Sequence, residues 1–231
     1  MNRLFFIFLL FLLGYQTSIA QPSTRLRKSD LKNDVLLKTD LGNIILRLSD
    51  STPIHRNNFI KLVRSGYYEG ISFHRVIAGF MIQAGDEQTK IKADSTRFLK
   101  QYTLPAEIIP SFYHKRGTLA AARTGDDVNP SKSSSGVQFY IVEGKVFNDA
   151  SLDSVQTYRL KGRQLSAEHR AVYKTSGGAP HLDQSYTIFG EMVMGFDVLD
   201  NIANVKTTGK GKGDKPLVDI RIIKTKMIKR S

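Results

Sequence analysis

The chain contains no cysteine. That excludes disulfides, thiolate metal ligation and a cysteine nucleophile, and it leaves the redox compartment open. It also removes the residue to which bacterial lipoproteins attach their lipid anchor. A glycine-rich phosphate loop, a paired-histidine zinc helix and a G-x-S-x-G elbow are missing as well. Of the five histidines, His55, His74, His114, His169 and His181, no two stand at ligand spacing, so neither a metal nor another cofactor is expected. Asp126 and Asp127 are adjacent, point opposite ways and read as loop. Long apolar runs are also scarce. The unbroken stretch Leu4–Leu13 has ten residues, about half of the roughly 20 that span a bilayer.

What is present suits one domain with accessories. The chain has 231 residues, 41% of them hydrophobic and 24% charged, enough to bury a sizeable core. Net charge is +13, from 34 Lys and Arg against 21 Asp and Glu. The stretch Lys206–Arg230 carries nine of the basic residues and two acidic ones. No RNP, zinc-finger or helix-turn-helix pattern accompanies this charge, so a solvated basic face is expected and nucleic acid is not an expected partner.

The start reads as a targeting segment. Met1-Asn2-Arg3 is a short basic opening, Leu4–Leu13 is the apolar run, and Ser18 and Ala20 are the small residues accepted at −3 and −1. This is the pattern of a Sec-type signal peptide over residues 1–20, cleaved after Ala20. The mature chain is then exported, to the periplasm or outside the cell, with no transmembrane segment. Residues 21–34 read as a flexible polar leader, 35–226 as the domain and 227–231 as a basic tail.

Within the domain, Val35–Thr39 and Ile44–Leu48 flank the turn Asp40-Leu41-Gly42-Asn43 and form a hairpin. Thr52 caps a helix whose first position is Pro53, where a missing N–H costs nothing. Phe59, Leu62 and Val63 share one face of it, and Gly66 closes it. Short apolar runs follow: Ile71–Arg75, Gly79–Ala84, Thr118–Ala122, Val137–Val142, Thr187–Gly190 and Ile220–Ile223. They read as strands of an all-β barrel or sandwich. Val198, Leu199 and Ile202 give a second helix after Gly195. The polar stretch Phe147–Gly178 interrupts this pattern as an insertion, with a helix opening at Ser166-Ala167-Glu168.

The stretch Phe73–Asp86 carries the most chemistry. It brings Arg75, Phe80, Met81 and Gln83 onto adjacent short strands, and residues two apart share a face, so Met81 and Gln83 project together. On a concave face they line a pocket that is half apolar and half donor. On a convex one, Phe80 and Met81 are core and Arg75 is a surface cation.

The stretch Phe73–Asp86 resembles the signature of cyclophilins, the peptidyl-prolyl cis-trans isomerases. Three further blocks resemble that family in the same order. Gly117–Arg123 is similar to G-x-L-x-M-A-N, Ser135–Ile141 to G-S-Q-F-F-I, and His181–Gly190 to W-L-D-G-K-H-V-V-F-G. The resemblance covers residues 35–224 apart from the insertion. It implies a closed eight-stranded antiparallel barrel capped by two helices, with proline-containing polypeptides as substrates; nothing in the sequence requires more than a monomer.

The implied reaction is rotation about an X–Pro bond. Its barrier is about 18–20 kcal/mol because rotation breaks amide resonance. No nucleophile or metal is needed; the site must favour the twisted amide over both planar ones. An apolar pocket desolvates the amide, and a fixed donor meets the prolyl nitrogen lone pair. Arginine suits that task, being always charged and presenting a rigid fork of N–H groups. The resemblance makes Arg75 the catalytic donor and gives Phe80, Met81, Tyr140 and Leu182 the proline pocket. Gln83 holds the substrate carbonyl, Ala122 and Arg123 line the groove for preceding residues, and Gln138 lines an adjoining pocket. Tyr186, where many members have His, covers the proline pocket, and His74 borders the site. His181 stands where familiar members have Trp.

An exported isomerase acting on folding envelope or secreted proteins is therefore the leading expectation. The alternative is a module that holds Pro-containing segments with little turnover. A third reading is a basic surface that binds anionic polymers, marked by steep salt dependence.

Overall fold

The computed structural model describes residues 26–90 and 102–230. The expected signal peptide and residues 21–25 of the leader lie outside the described residues. From Leu26 onward the leader is part of the folded body. Lys28–Lys32 makes a 3-10 turn whose buried Asp30 accepts from Arg64 at 2.7 and 2.8 Å.

Strands β1 (Asn33–Thr39) and β2 (Gly42–Leu48) form the expected hairpin. Helix α1 (Pro53–Arg64) follows, then β3 (Arg75–Ile77), β4 (Met81–Ala84), β5 (Thr103–Leu104), β6 (Thr118–Ala121), β7 (Ser134–Ser135) and β8 (Phe139–Val142). The insertion supplies α2 (Asp149–Tyr158) and α3 (Ala167–Thr175), and β9 (Ile188–Met194), α4 (Phe196–Ala203) and β10 (Ile222–Lys229) complete the chain. Strand β10 therefore runs through most of the segment read as a basic tail, pairing Met227 with Val35 and Lys229 with Asn33.

Eight strands form one curled antiparallel sheet in the order β10-β1-β2-β9-β6-β8-β4-β3. The closed barrel expected from the resemblance is corrected to an open half-barrel. The physical reason lies at the two ends of the sheet. Strand β3 has three residues and β10 is laddered along β1. Among the described residues, the gap is crossed by an isolated bridge between Ser72 and Arg221 and by a few backbone bonds, such as Phe73 N–H to Ile220 O and Val76 N–H to Asp214 O, each at 2.9 Å. The short strands β5 and β7 pair separately.

Helix α1 starts at Pro53 as expected, but the cap is not Thr52, whose side chain makes no capping bond. Glu107 does this instead: its carboxylate accepts from the N–H groups of Ile54 (3.0 Å) and His55 (2.9 Å). A carboxylate outcompetes a hydroxyl there because it also answers the positive end of the helix.

The sheet separates two apolar clusters by strand alternation. Ile82, Ala84, Leu119, Phe139 and Ile141 face inward, with Phe59 and Tyr68, into the main core. Their neighbours Met81, Ala120, Tyr140 and Val142 face outward into a second cluster, closed by Ala179, Leu182 and Ile188. The insertion has a small core of its own in Leu152, Leu160, Leu165 and Tyr173. Helix α2 is capped by Asn148 and α3 by Ser166, whose hydroxyl accepts from His169 N–H at 3.1 Å.

Candidate active site

The site is built on the outward face of the sheet. Register sets out its central row. Arg75 on β3 lies opposite Gln83 on β4, Gln83 opposite Tyr140 on β8, and Tyr140 opposite Ala120 on β6. Directly paired residues present their side chains to the same face, so a cation, an amide and a phenol stand in line. Met81, two residues before Gln83, joins them, and the concave alternative from the sequence is the one realised.

These side chains line a cavity of about 230 Å³. Its walls are Arg75, Phe80, Met81, Gln83, Ala122, Arg123, Tyr140, Leu182 and Tyr186. Met81, Tyr140 and Leu182 are buried and give an apolar floor. Arg75 keeps 42% of its side chain exposed, with its Nε 3.9 Å from Asp214. That is a loose contact, and the half-exposed guanidinium side chain lines the cavity. Gln83 donates an amide N–H to Gln138 Oε1 at 3.0 Å, which fixes its head group and keeps a second N–H in hand. Gln138 itself lines an adjoining cavity, shared with Gln83, Ala122 and Arg123.

His74 is not brought to the cavity. Its backbone N–H binds Gln83 O at 3.0 Å, its Nδ1 is buried without a partner among the described residues, and burial pushes its pKa down.

The side chain of Arg123 does more than the sequence indicated. Its Nε donates to Ser185 O at 2.8 Å, its NH1 pairs with Asp126 at 2.6 Å, and its guanidinium lies 4.5 Å from the centre of the Tyr186 ring. It thus braces the ring that roofs the cavity. Tyr186 in turn meets Tyr140 edge-on at 5.8 Å. His181 packs at the lip, 5.1 Å from the Phe80 ring. Burial, then the charge of Arg159, pushes its pKa down to about 4.

Sequence reasoning missed the groups beneath the floor. His114, wholly buried, places its Nε2 3.0 Å from the Tyr140 hydroxyl and its Nδ1 3.0 Å from Asp183. Asp183 also accepts from the His114 backbone N–H at 2.8 Å and from the Tyr173 hydroxyl at 2.8 Å. These residues are far apart along the chain, and no spacing rule ties them together.

Among the described residues no group of three or more His, Asp or Glu is arranged to hold a metal. A separate hollow of about 290 Å³, lined by Leu48, Phe112, Tyr113 and Ile188 with Arg47, Lys115 and Glu191, holds none of the sequence-derived site residues.

Residues 34–227 match the family model of "Cyclophilin type peptidyl-prolyl cis-trans isomerase/CLD". A candidate bifunctional phosphatase/peptidyl-prolyl cis-trans isomerase of Streptococcus pyogenes is 36% identical over 200 residues, which cover 84% of this chain and 39% of that protein. A candidate peptidyl-prolyl cis-trans isomerase of Staphylococcus saprophyticus is 30% identical over 89% of this chain and 96% of its own length. The fold is similar to that of a cyclophilin type peptidyl-prolyl cis-trans isomerase from Cryptosporidium parvum, with a TM-score of 0.60, 24% identity and coverage of 86% and 99% of the two chains. A second structure of that protein, with a TM-score of 0.58, was obtained in the presence of the dipeptide Ala-Pro. With a family match that runs from the first strand of the sheet to the last, this chain belongs to the cyclophilin-type peptidyl-prolyl cis-trans isomerases.

Proposed function

We propose that the chain accelerates rotation about X–Pro bonds in folding envelope or secreted proteins, with Arg75 as donor to the prolyl nitrogen. The observation that carries this reading is the row Arg75–Gln83–Tyr140 beside an apolar floor. In the planar amide the prolyl nitrogen shares its lone pair with the carbonyl. Twisting returns that pair to nitrogen, and a guanidinium N–H then gains an acceptor that it lacks in either ground state. Such a contact strengthens only in the twisted state, which is the condition for catalysis. The proline ring sits on Met81, Tyr140, Leu182 and Phe80. Gln83 gives its free N–H to the substrate carbonyl. Ala122, Arg123 and Gln138 take the residues before the proline. Proline-containing polypeptides are the substrates, in keeping with the Ala-Pro used with the Cryptosporidium parvum relative. The protein acts after export, a reading that rests on the basic opening, apolar run and small residues of its first 20 positions.

The test is relaxation of a cis-enriched X–Pro peptide, which takes about 10–100 s uncatalysed at 25 °C. The wild type should shorten it. Arg75→Ala should lose about 10²-fold in kcat/KM, the scale for removing one charged donor from a transition state. Peptide affinity retained with no acceleration by the wild type would favour the Pro-segment binding module instead.

A further inference from the structure

The insertion reaches the proline pocket through one buried polar chain. Tyr173 on α3 is wholly buried, and its hydroxyl lies 2.9 and 2.8 Å from the two oxygens of Asp183. Asp183, 3% exposed, takes the backbone N–H and Nδ1 of His114 on the same oxygen. A carboxylate only accepts, so His114 presents Nδ1–H to it, and a neutral ring then offers Nε2 as acceptor. The group facing Nε2 is the hydroxyl of Tyr140 at 3.0 Å, which becomes the donor. The donors thus converge on Asp183: Tyr173 donates to it from one side, and from the other Tyr140 donates to His114 and His114 to Asp183. The last ring in this chain is the floor of the cavity.

We infer that Tyr173 is a positioning residue for the proline pocket, acting through Asp183 and His114 on the ring of Tyr140, so that the insertion is a working part of the site. This rests on reading the cavity as the seat of the proline ring. The chemistry favours coupling over mere support. A buried carboxylate that loses a donor must recover it from its remaining partners. The nearest are the two N–H groups of His114, and any shift of that ring is felt at Nε2. His114 and Tyr140 are near-parallel, at 11° and 6.1 Å, while Tyr186 stands edge-on to both. A small rotation of His114 therefore alters floor and roof of the pocket together. Arg163 in the insertion holds the same turn from outside, through the carbonyl of Asp183 and, at 3.0 Å, the side chain of Gln184.

The experiment is a double-mutant cycle of Tyr173→Phe and Tyr140→Phe, read in kcat and KM for an X–Pro peptide and in Kd for the same peptide by calorimetry. Tyr173→Phe should raise KM and Kd about five-fold, within the range for members of one hydrogen-bond network, with kcat within about two-fold because Arg75 is untouched. On the Tyr140→Phe background the same change should have no further effect, since the chain has lost its last link. Equal effects of Tyr173→Phe on both backgrounds would overturn the inference, as would an unchanged KM in the single variant. If Tyr173→Phe does not fold, Tyr140→Phe is read from the other end. Its amide resonances at Asp183 and Tyr173 should move, and unmoved resonances would refute coupling. Absence of turnover in the wild type would defeat the isomerase reading alone, because the Kd cycle still reports on the network.

Discussion

Acid should loosen this protein through one histidine in particular. His181 stands at the lip of the cavity, and burial, then the facing charges of Arg159 and Lys145, brings its pKa down to about 4, with Asp183 opposing. In the unfolded chain the ring titrates near 6.5. The unfolded state therefore takes up the proton first. The His181 contribution to stability is fully present above about pH 6.5 and is lost progressively as pH falls toward about 4. Those two values put the loss between pH 7 and pH 4.5 at about 2 kcal/mol. For a domain of this size about 2–4 °C of Tm goes with each kcal/mol, so the expected fall is about 4–8 °C. Thermal melts of the wild type and His181→Phe at the two pH values, at equal ionic strength, isolate it. The phenyl ring keeps the contact with Phe80 and cannot titrate, so the variant's Tm should fall less than the wild type's by that amount. His55 and His74, also lowered by burial, remain in both proteins and cancel, as does self-repulsion in a chain of net charge +13. Equal falls in the two proteins would refute the burial argument.

Two further substitutions test the packing. Leu152→Ala, at a fully buried position in the insertion's own core, should cost about 3 kcal/mol, and limited proteolysis should then cut first within residues 147–178. Gly85→Ala would set a Cβ 2.2 Å from the carbonyl oxygen of Val137 at a φ of +103°. A backbone carbonyl cannot step aside, so a urea titration should show at least about 2 kcal/mol of lost stability. With the Arg75→Ala and Tyr173→Phe experiments, these cover catalysis, positioning and folding separately.

Much of the frame is legible in the chain because local rules decide it. The hairpin of β1 and β2 follows from two apolar alternations around a glycine-containing turn, and α1 follows from Pro53 with Phe59, Leu62 and Val63 on one face. The groove residues are legible for a different reason: three of the four motif blocks lie on strands β3, β4, β6 and β8, where pairing register does the rest, and the fourth runs from the turn at Leu182 into β9. What stays hidden is long-range. Glu107 caps α1 from 52 residues away in sequence, and no local signal makes a loop carboxylate the partner of a helix start. The open edge of the sheet depends on how few residues of β3 pair, which composition does not encode. His114, Asp183 and Tyr173 each look unremarkable in sequence, because a buried polar chain is a property of three dimensions.

The pairing of β1 with β10 bears on how the protein is made. The first strand of the sheet finds its outer neighbour in the last, along seven paired positions from Asn33 to Thr39. During synthesis, or during threading through any translocation pore, β1 and β2 emerge early and then wait for nearly the whole remaining chain. Until β10 arrives, the outer edge of β1 offers unpaired N–H and C=O groups beside the apolar side chains of Val35 and Leu37, a ready template for another chain. A holding factor that covers this edge would have its moment there.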